Sequence, residues 1–139
     1  MDEDESLHRY GLRPTGVNLD EVRGLLTTET LLERRAQGDG DTELMKLCCV
    51  QLFNAAVLED VLLIWQAKSA SMDADCSIDI QLLCGSGLAR TKTYLSSRRL
   101  PEAEAALQRL LRCEAAGDFE DFSAAGHSAW YAAYYTTDA

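Results

Sequence analysis

The chain has 139 residues, 47% of them hydrophobic and 26% charged, with a formal net charge of −10. That length fits one domain, and the hydrophobic fraction supports a buried core. The excess of acid repels phosphate, so nucleic acid is excluded as a partner and a basic protein or peptide is favoured.

Residues 1–17 open on the acids Asp2 to Glu5 and then carry Gly11, Pro14 and Gly16, which reads as a flexible acidic segment ahead of a helical domain spanning 18–139. The start Met-Asp-Glu-Asp-Glu-Ser lacks the basic residues and apolar stretch of a signal peptide. The longest apolar run, Val57 to Trp65, is broken by Glu59 and Asp60, well short of the ~18 residues a bilayer span needs. The expectation is a cytoplasmic protein without membrane contact.

At Asn18 the pattern turns helical. Asn18 followed by Glu21 forms a capping box, and Leu19, Val22, Leu25 and Leu26 follow at helical spacing. A second short helix is predicted from Thr28 to Arg35, ended by Gly38-Asp-Gly40-Asp41. Asp41 or Thr42 caps a helix to about Asn54. Ala55 to Val57 makes a tight connection, and Leu58, Val61, Leu62 and Trp65 mark a buried helix ending near Ser69. Asp73 or Asp75 starts the next helix, through Ile78, Leu82 and Leu83. Gly85-Ser-Gly87 turns the chain into a weaker stripe at Leu88 and Leu95. Pro101 opens a helix through Leu107 and Leu110 to Gly117, and a last helix begins near Ser123. No strand is predicted.

Val50-Gln-Leu-Phe-Asn-Ala-Ala-Val-Leu58 aligns with Ile80-Gln-Leu-Leu-Cys-Gly-Ser-Gly-Leu88 at a constant offset, and turns recur at Val57, Gly87 and Gly117. Paired helices repeating at this period mark a helical solenoid, in which each hairpin buries the apolar face of its neighbour. The fold class is therefore all-α, a short alpha-alpha solenoid with an aromatic C-terminal capping helix. Asn54-Ala-Ala-Val-Leu-Glu-Asp-Val-Leu-Leu-Ile-Trp65 resembles the helix–turn–helix core of an ankyrin repeat, over at most residues 42–117. The threonine-proline-leucine-histidine start of that repeat is missing, and another alpha-alpha repeat such as HEAT fits nearly as well. The resemblance implies a protein-binding scaffold.

Few residues carry chemistry. Five cysteines are an odd number without close Cys-x-x-Cys spacing, and they read as reduced core residues; no metal and no cofactor is expected. Asp73 to Cys84 imitates a calcium loop, but Ile78 and Cys84 stand where glycine and glutamate are required. Gly85-Ser-Gly87 follows a helix, so it is a turn and not a dinucleotide loop. His127 has no neighbouring nucleophile in sequence; Cys113 is the nearest thiol. Six aromatic residues crowd Phe119 to Tyr135. Phe119, Trp130 and Tyr134 are expected inside, leaving Tyr131 and Tyr135 outside for a partner or a second copy.

The reading is a non-enzymatic interaction module, an adaptor or a toxin-neutralising protein. Its partner surface comprises the acids Asp75 and Asp79 with Gln51, Gln81, Tyr131 and Tyr135. Arg90 and Lys92 are a possible anion contact within the basic stretch Arg90 to Arg112. The alternative is a small helical enzyme or ligand-binding protein with a pocket between helices. That alternative requires several of Asp75, Asp79, Gln81, Arg90, Lys92 and His127 to meet in one cleft.

Overall fold

The computed structural model describes residues 1–136. They form helices α1 (Glu3–Tyr10), α2 (Gly16–Arg35), α3 (Thr42–Ala55), α4 (Val61–Lys68), α5 (Met72–Ser77), α6 (Leu88–Ser97), α7 (Pro101–Ala115) and α8 (Ala124–Thr136). Single 3-10 turns occupy Leu58–Asp60 and Ile80–Leu83, and the described residues contain no strand. The chain is all-α. No helix among the described residues is long and apolar enough to cross a membrane.

The core is organised around α3, whose residues from Leu44 to Phe53 are buried except Lys46. A helix this apolar on every side must be surrounded. Its neighbours are α1, α2, α4, α5 and α8 and the 3-10 turn at Ile80–Leu83. Asp41 caps it by accepting from Leu44 N at 3.1 Å, and Ala56 ends it in the left-handed region at φ 57°. Helix α4 packs also against α2, α5 and α7, and α6 packs against α7. Ala103, Ala106 and Leu110 give α7 a buried stripe at helical spacing, and Pro101 stands at its first turn as expected.

Three expectations are corrected. The break predicted near Thr27 and Thr28 is absent, because both hydroxyls donate back to carbonyls one turn earlier, Arg23 O and Gly24 O, inside a continuous helix. Residues 1–17 are not without structure. Asp2 accepts from Glu5 N at 2.9 Å, and the acids Glu3, Asp4 and Glu5 lie in the first turn, where the helix dipole favours them. The following segment is strapped down. Gln51 Nε2 donates to Gly11 O, Asn54 Nδ2 to Leu12 O, and Arg13 Nη2 to Ser128 Oγ.

The third correction shapes the site. The helix expected through Asp73 to Leu83 ends at Ser77, and its cap is Ser71 rather than Asp73 or Asp75. The buried Lys68 explains the break. Its ammonium takes hydrogen bonds to Asp75 O (2.8 Å) and Ile78 O (2.5 Å), carbonyls that a continuing helix would use itself. Ile78 and Asp79 are therefore extended, with ψ of 107° and 149°.

Glu33 makes the Gly38–Gly40 break cohere. It is 1% exposed, and it accepts from Gly38 N, Gly40 N and Ser71 Oγ. The Ser71 hydrogen bond, against the opposing effect of burial and with help from the two amides, holds its carboxyl below the usual range. A depressed folded pKa stabilises above the unfolded value, near ~4.3, and that contribution fades as pH falls through the folded value. Glu33→Gln is expected to flatten the acid limb of stability, read from urea midpoints between neutral and acid pH. An unchanged limb would remove Glu33 from this role.

Candidate functional site, an acidic and aromatic recess

The break after α5 aims Asp79 sideways, toward the N-terminal half of α8. His127 Nε2 donates to Asp79 Oδ2 at 2.8 Å, and Tyr131 OH donates to Asp79 Oδ1. Burial raises the Asp79 carboxyl, but hydrogen bonds from His127 and Tyr131 outweigh it, so the group is held below the usual carboxylate range. Burial and the bond to Asp79 push the Tyr131 hydroxyl well up, fixing it as a donor. Phe53, Phe122, Trp130 and Tyr131 surround the His127 ring, with centroids 5.2 to 6.3 Å away.

This network forms one wall of a recess of about 660 Å³. Its lining includes Asp79 and Gln81, the aromatic Phe122 and Trp130, the acids Asp118, Glu120 and Asp121, and Lys46 and Cys76. Gln81 Nε2 donates to Asp118 O at 2.8 Å and ties the two segments together. Asp121 adopts the left-handed conformation at φ 59°, which aspartate tolerates, as the chain turns toward α8. Asp118, Glu120 and Asp121 are exposed and make no ion pair among the described residues.

Lys46 is the one lysine lining the recess, and its ammonium lies over the Tyr131 and Tyr134 rings at 5.7 and 5.1 Å. Beyond it lies a second acidic group. Partial burial, then repulsion by Glu43, Asp4 and Asp41, raises the Glu3 carboxyl. Acidic side chains thus flank this lysine on both sides.

The structure rearranges the residues singled out from sequence. Asp75 and Asp79 do not form an acidic strip, since the chain between them is not one helical turn. Asp75 is bound by Arg109 through both oxygens and by Lys68 at 3.3 Å. Gln51 is fully buried and so is not a surface contact, whereas Gln81 lines the recess. Tyr131 is 1% exposed, while Trp130 and Tyr134, expected inside, are 56% and 46% exposed. Phe119 is buried as expected, and Tyr135 is half-buried. Lys92 is paired with Glu114 at 3.0 Å, Arg90 is exposed beside Tyr94, and neither lines the recess. Of the cysteines Cys76 is exposed, and Cys113 is half-buried; burial pushes the Cys48 and Cys84 thiols up to about 12.

Sequence reasoning missed Asp118, Glu120 and Asp121. Their signal was the alternation of acid and phenylalanine in Gly117-Asp-Phe-Glu-Asp-Phe122, directly after a helix-ending glycine. Among the described residues no group of three or more His, Cys, Asp or Glu is arranged to hold a metal ion. No family model matches the chain, and neither does any curated protein or solved structure.

Proposed function

We propose that the chain is a non-enzymatic protein-binding module, whose acidic and aromatic recess takes a lysine or arginine side chain from a basic partner. The observation that carries this reading is the lining of the recess. Three exposed carboxylates, which make no ion pair among the described residues, share this lining with the exposed Trp130 ring. A carboxylate rim attracts a cation, and an aromatic face beside it binds the same cation through its ring quadrupole. The adjoining Glu3 and Glu43 extend the attraction to further basic residues of the partner.

The same proposal includes the scaffold, a short stack of helical hairpins resembling ankyrin repeats and closed by α8. In support, Ser86 Oγ donates to Ala56 O, joining turns thirty residues apart. Positive φ recurs at Ala56, Gly87 and Gly117, close to the predicted turn positions. Gln51 and Gln81, equivalent in the repeat, each donate a side-chain amide to the backbone of a neighbouring segment.

Titration calorimetry with oligoarginine, oligolysine and oligoglutamate peptides tests the function. The basic peptides are expected to bind, more weakly as salt rises, and oligoglutamate is expected not to bind. The triple change Asp118→Asn, Glu120→Gln and Asp121→Asn should cost about tenfold in affinity and flatten the salt dependence, since each lost contact is a partly screened charge pair. Failure of the basic peptides to bind, or binding indifferent to the triple change, overturns the proposal.

A second reading, a small enzyme using the same recess, is favoured by one observation. A carboxylate-oriented histidine, His127 on Asp79, lines a cavity that also contains the exposed Cys76 thiol. Three of the six residues required for that reading, Asp79, Gln81 and His127, do meet there. An electrophilic acyl probe decides it. Labelling of Cys76 that is lost in His127→Ala supports catalysis, and equal labelling of both proteins excludes this histidine as its base.

A further inference from the structure

Helix α1 is fastened at one end only. Tyr10 OH donates to Glu21 Oε1 at 3.1 Å, and Arg9 pairs with Glu21 at 3.4 Å. Just beyond the helix, Gly11 O and Leu12 O accept from Gln51 and Asn54 of α3. Among the described residues no hydrogen bond or ion pair ties residues 3–8 to another element.

The register determines what the loose end meets. Helix α1 packs chiefly against α3, with its last turn beside Gln51 and Asn54. Glu3 feels Glu43 and Asp41 at the start of α3, so the two helices run in the same direction. Both rise about 1.5 Å per residue, and counting eight residues back from Gly11 and from Gln51 reaches Glu3 and Glu43. Two helix starts, with Glu3 and Asp4 on one and Asp41 and Glu43 on the other, are thus pressed together. Partial burial and then repulsion from these acids raise the Glu3 carboxyl, and Lys46 offsets this only in part. A second cost lies under the same helix. Ser6 is fully buried with its hydroxyl unpartnered. The Tyr135 hydroxyl of α8, also unpartnered, is pushed up by burial and then by the Glu3 charge. Water relieves both hydroxyls when the helix lifts.

We propose that α1 is a strap hinged at Gly11, lifting from α3 at its acidic end and drawn closed when basic residues of a bound partner settle between Glu3 and Glu43. Gly11, at φ 67°, ends the helix in a conformation that favours glycine. An eight-residue helix is not stable without packing, so lifting also unwinds it. A cation closes the strap because repulsion between acids is what opens it, and salt acts in the same sense by screening. The coupling to a partner rests on the basic-ligand reading of the recess; the strap itself does not.

Native-state hydrogen exchange of the full chain, followed by NMR, tests the strap through amides 6–11. At low salt they are expected to be less protected than the amides of α3 by about tenfold or more. Glu43→Gln should raise their protection about threefold, and high salt should act in the same direction. Glu59→Gln, which removes an exposed acid from the turn before α4, should leave them unchanged and so separates the local contact from net charge. Oligoarginine added to wild type should also raise α1 protection, by less in Glu43→Gln. The strap is overturned if amides 6–11 are as protected as α3, if Glu43→Gln leaves them unchanged, or if Glu59→Gln protects them equally. Oligoarginine that shifts the recess without changing α1 exchange overturns the coupling alone. Oligoarginine that does not bind overturns the proposed function and the coupling with it, while the strap stands or falls on Glu43→Gln.

Discussion

Lys68→Met is expected to destabilise the chain by about 3 kcal/mol, because it strands buried carbonyls that only the ammonium satisfies. Lys68 is 3% exposed, with hydrogen bonds to Asp75 O and Ile78 O and an ion pair to the Asp75 side chain. Methionine keeps most of the aliphatic stem, so the loss is polar rather than a cavity. For a chain of this size the melting temperature should fall by roughly 10 °C. The effect reaches the recess as well. Asp79 is aimed at His127 only because the backbone from Asp75 to Asp79 leaves the helix, and Lys68 holds it there. Thermal melts followed by circular dichroism read the stability, and oligoarginine titration reads the site. A variant that melts with wild type would show that solvent or another group takes over both carbonyls.

Gly85→Ala should be nearly as damaging. A Cβ at Gly85 would stand 2.2 Å from Phe53 O and 3.0 and 3.1 Å from two further backbone atoms of Phe53. Backbone cannot swing aside as a side chain can, so the two turns must separate, at a cost of about 3 kcal/mol. The separation also strains the Ser86 to Ala56 hydrogen bond. Gly24→Ala is the matched control. That exposed glycine lies in α2 with nothing within 4 Å of an added Cβ, and alanine there should stabilise by about 0.5–1 kcal/mol. Urea denaturation of the two variants is expected to move the midpoint in opposite directions. A tolerated alanine at position 85 would mean that the turns are not in close contact.

The all-helical class and the starts of α3, α6, α7 and α8 were legible because they are local. Asp41 as the cap of α3, Pro101 at the start of α7 and the glycines around residues 38–40 act within a few residues of where they stand. The capping box read at Asn18, by contrast, does not form, since α2 begins at Gly16 with Thr15 as its N-cap. The break at Ser77 was not legible, since its cause is a lysine from the preceding helix taking two carbonyls. Nothing in Asp73 to Leu83 itself announces that. The aromatic residues of α8 were assigned to the wrong sides for a similar reason. Trp130 is the larger apolar group, but Tyr131 can satisfy its hydroxyl on Asp79, and that buried polar partner decides which ring turns inward. Gln51 shows the same effect in reverse. Read as a surface amide, it is drawn inside because Gly11 O needs a donor. The acids of the recess were visible as residues but not as a site, because their significance comes from Trp130 and Asp79 standing opposite them.

In the proposed function, basic side chains enter between the Asp118–Asp121 turn and Trp130. Titration of isotope-labelled protein with oligoarginine, followed by amide and indole NMR shifts, tests it residue by residue. The expected result is saturable movement of the Trp130 indole and of amides 118–123 and 76–81, abolished by the triple neutralising change. Shifts confined to α2 or α6, or spread evenly over every acidic residue without saturation, would contradict it.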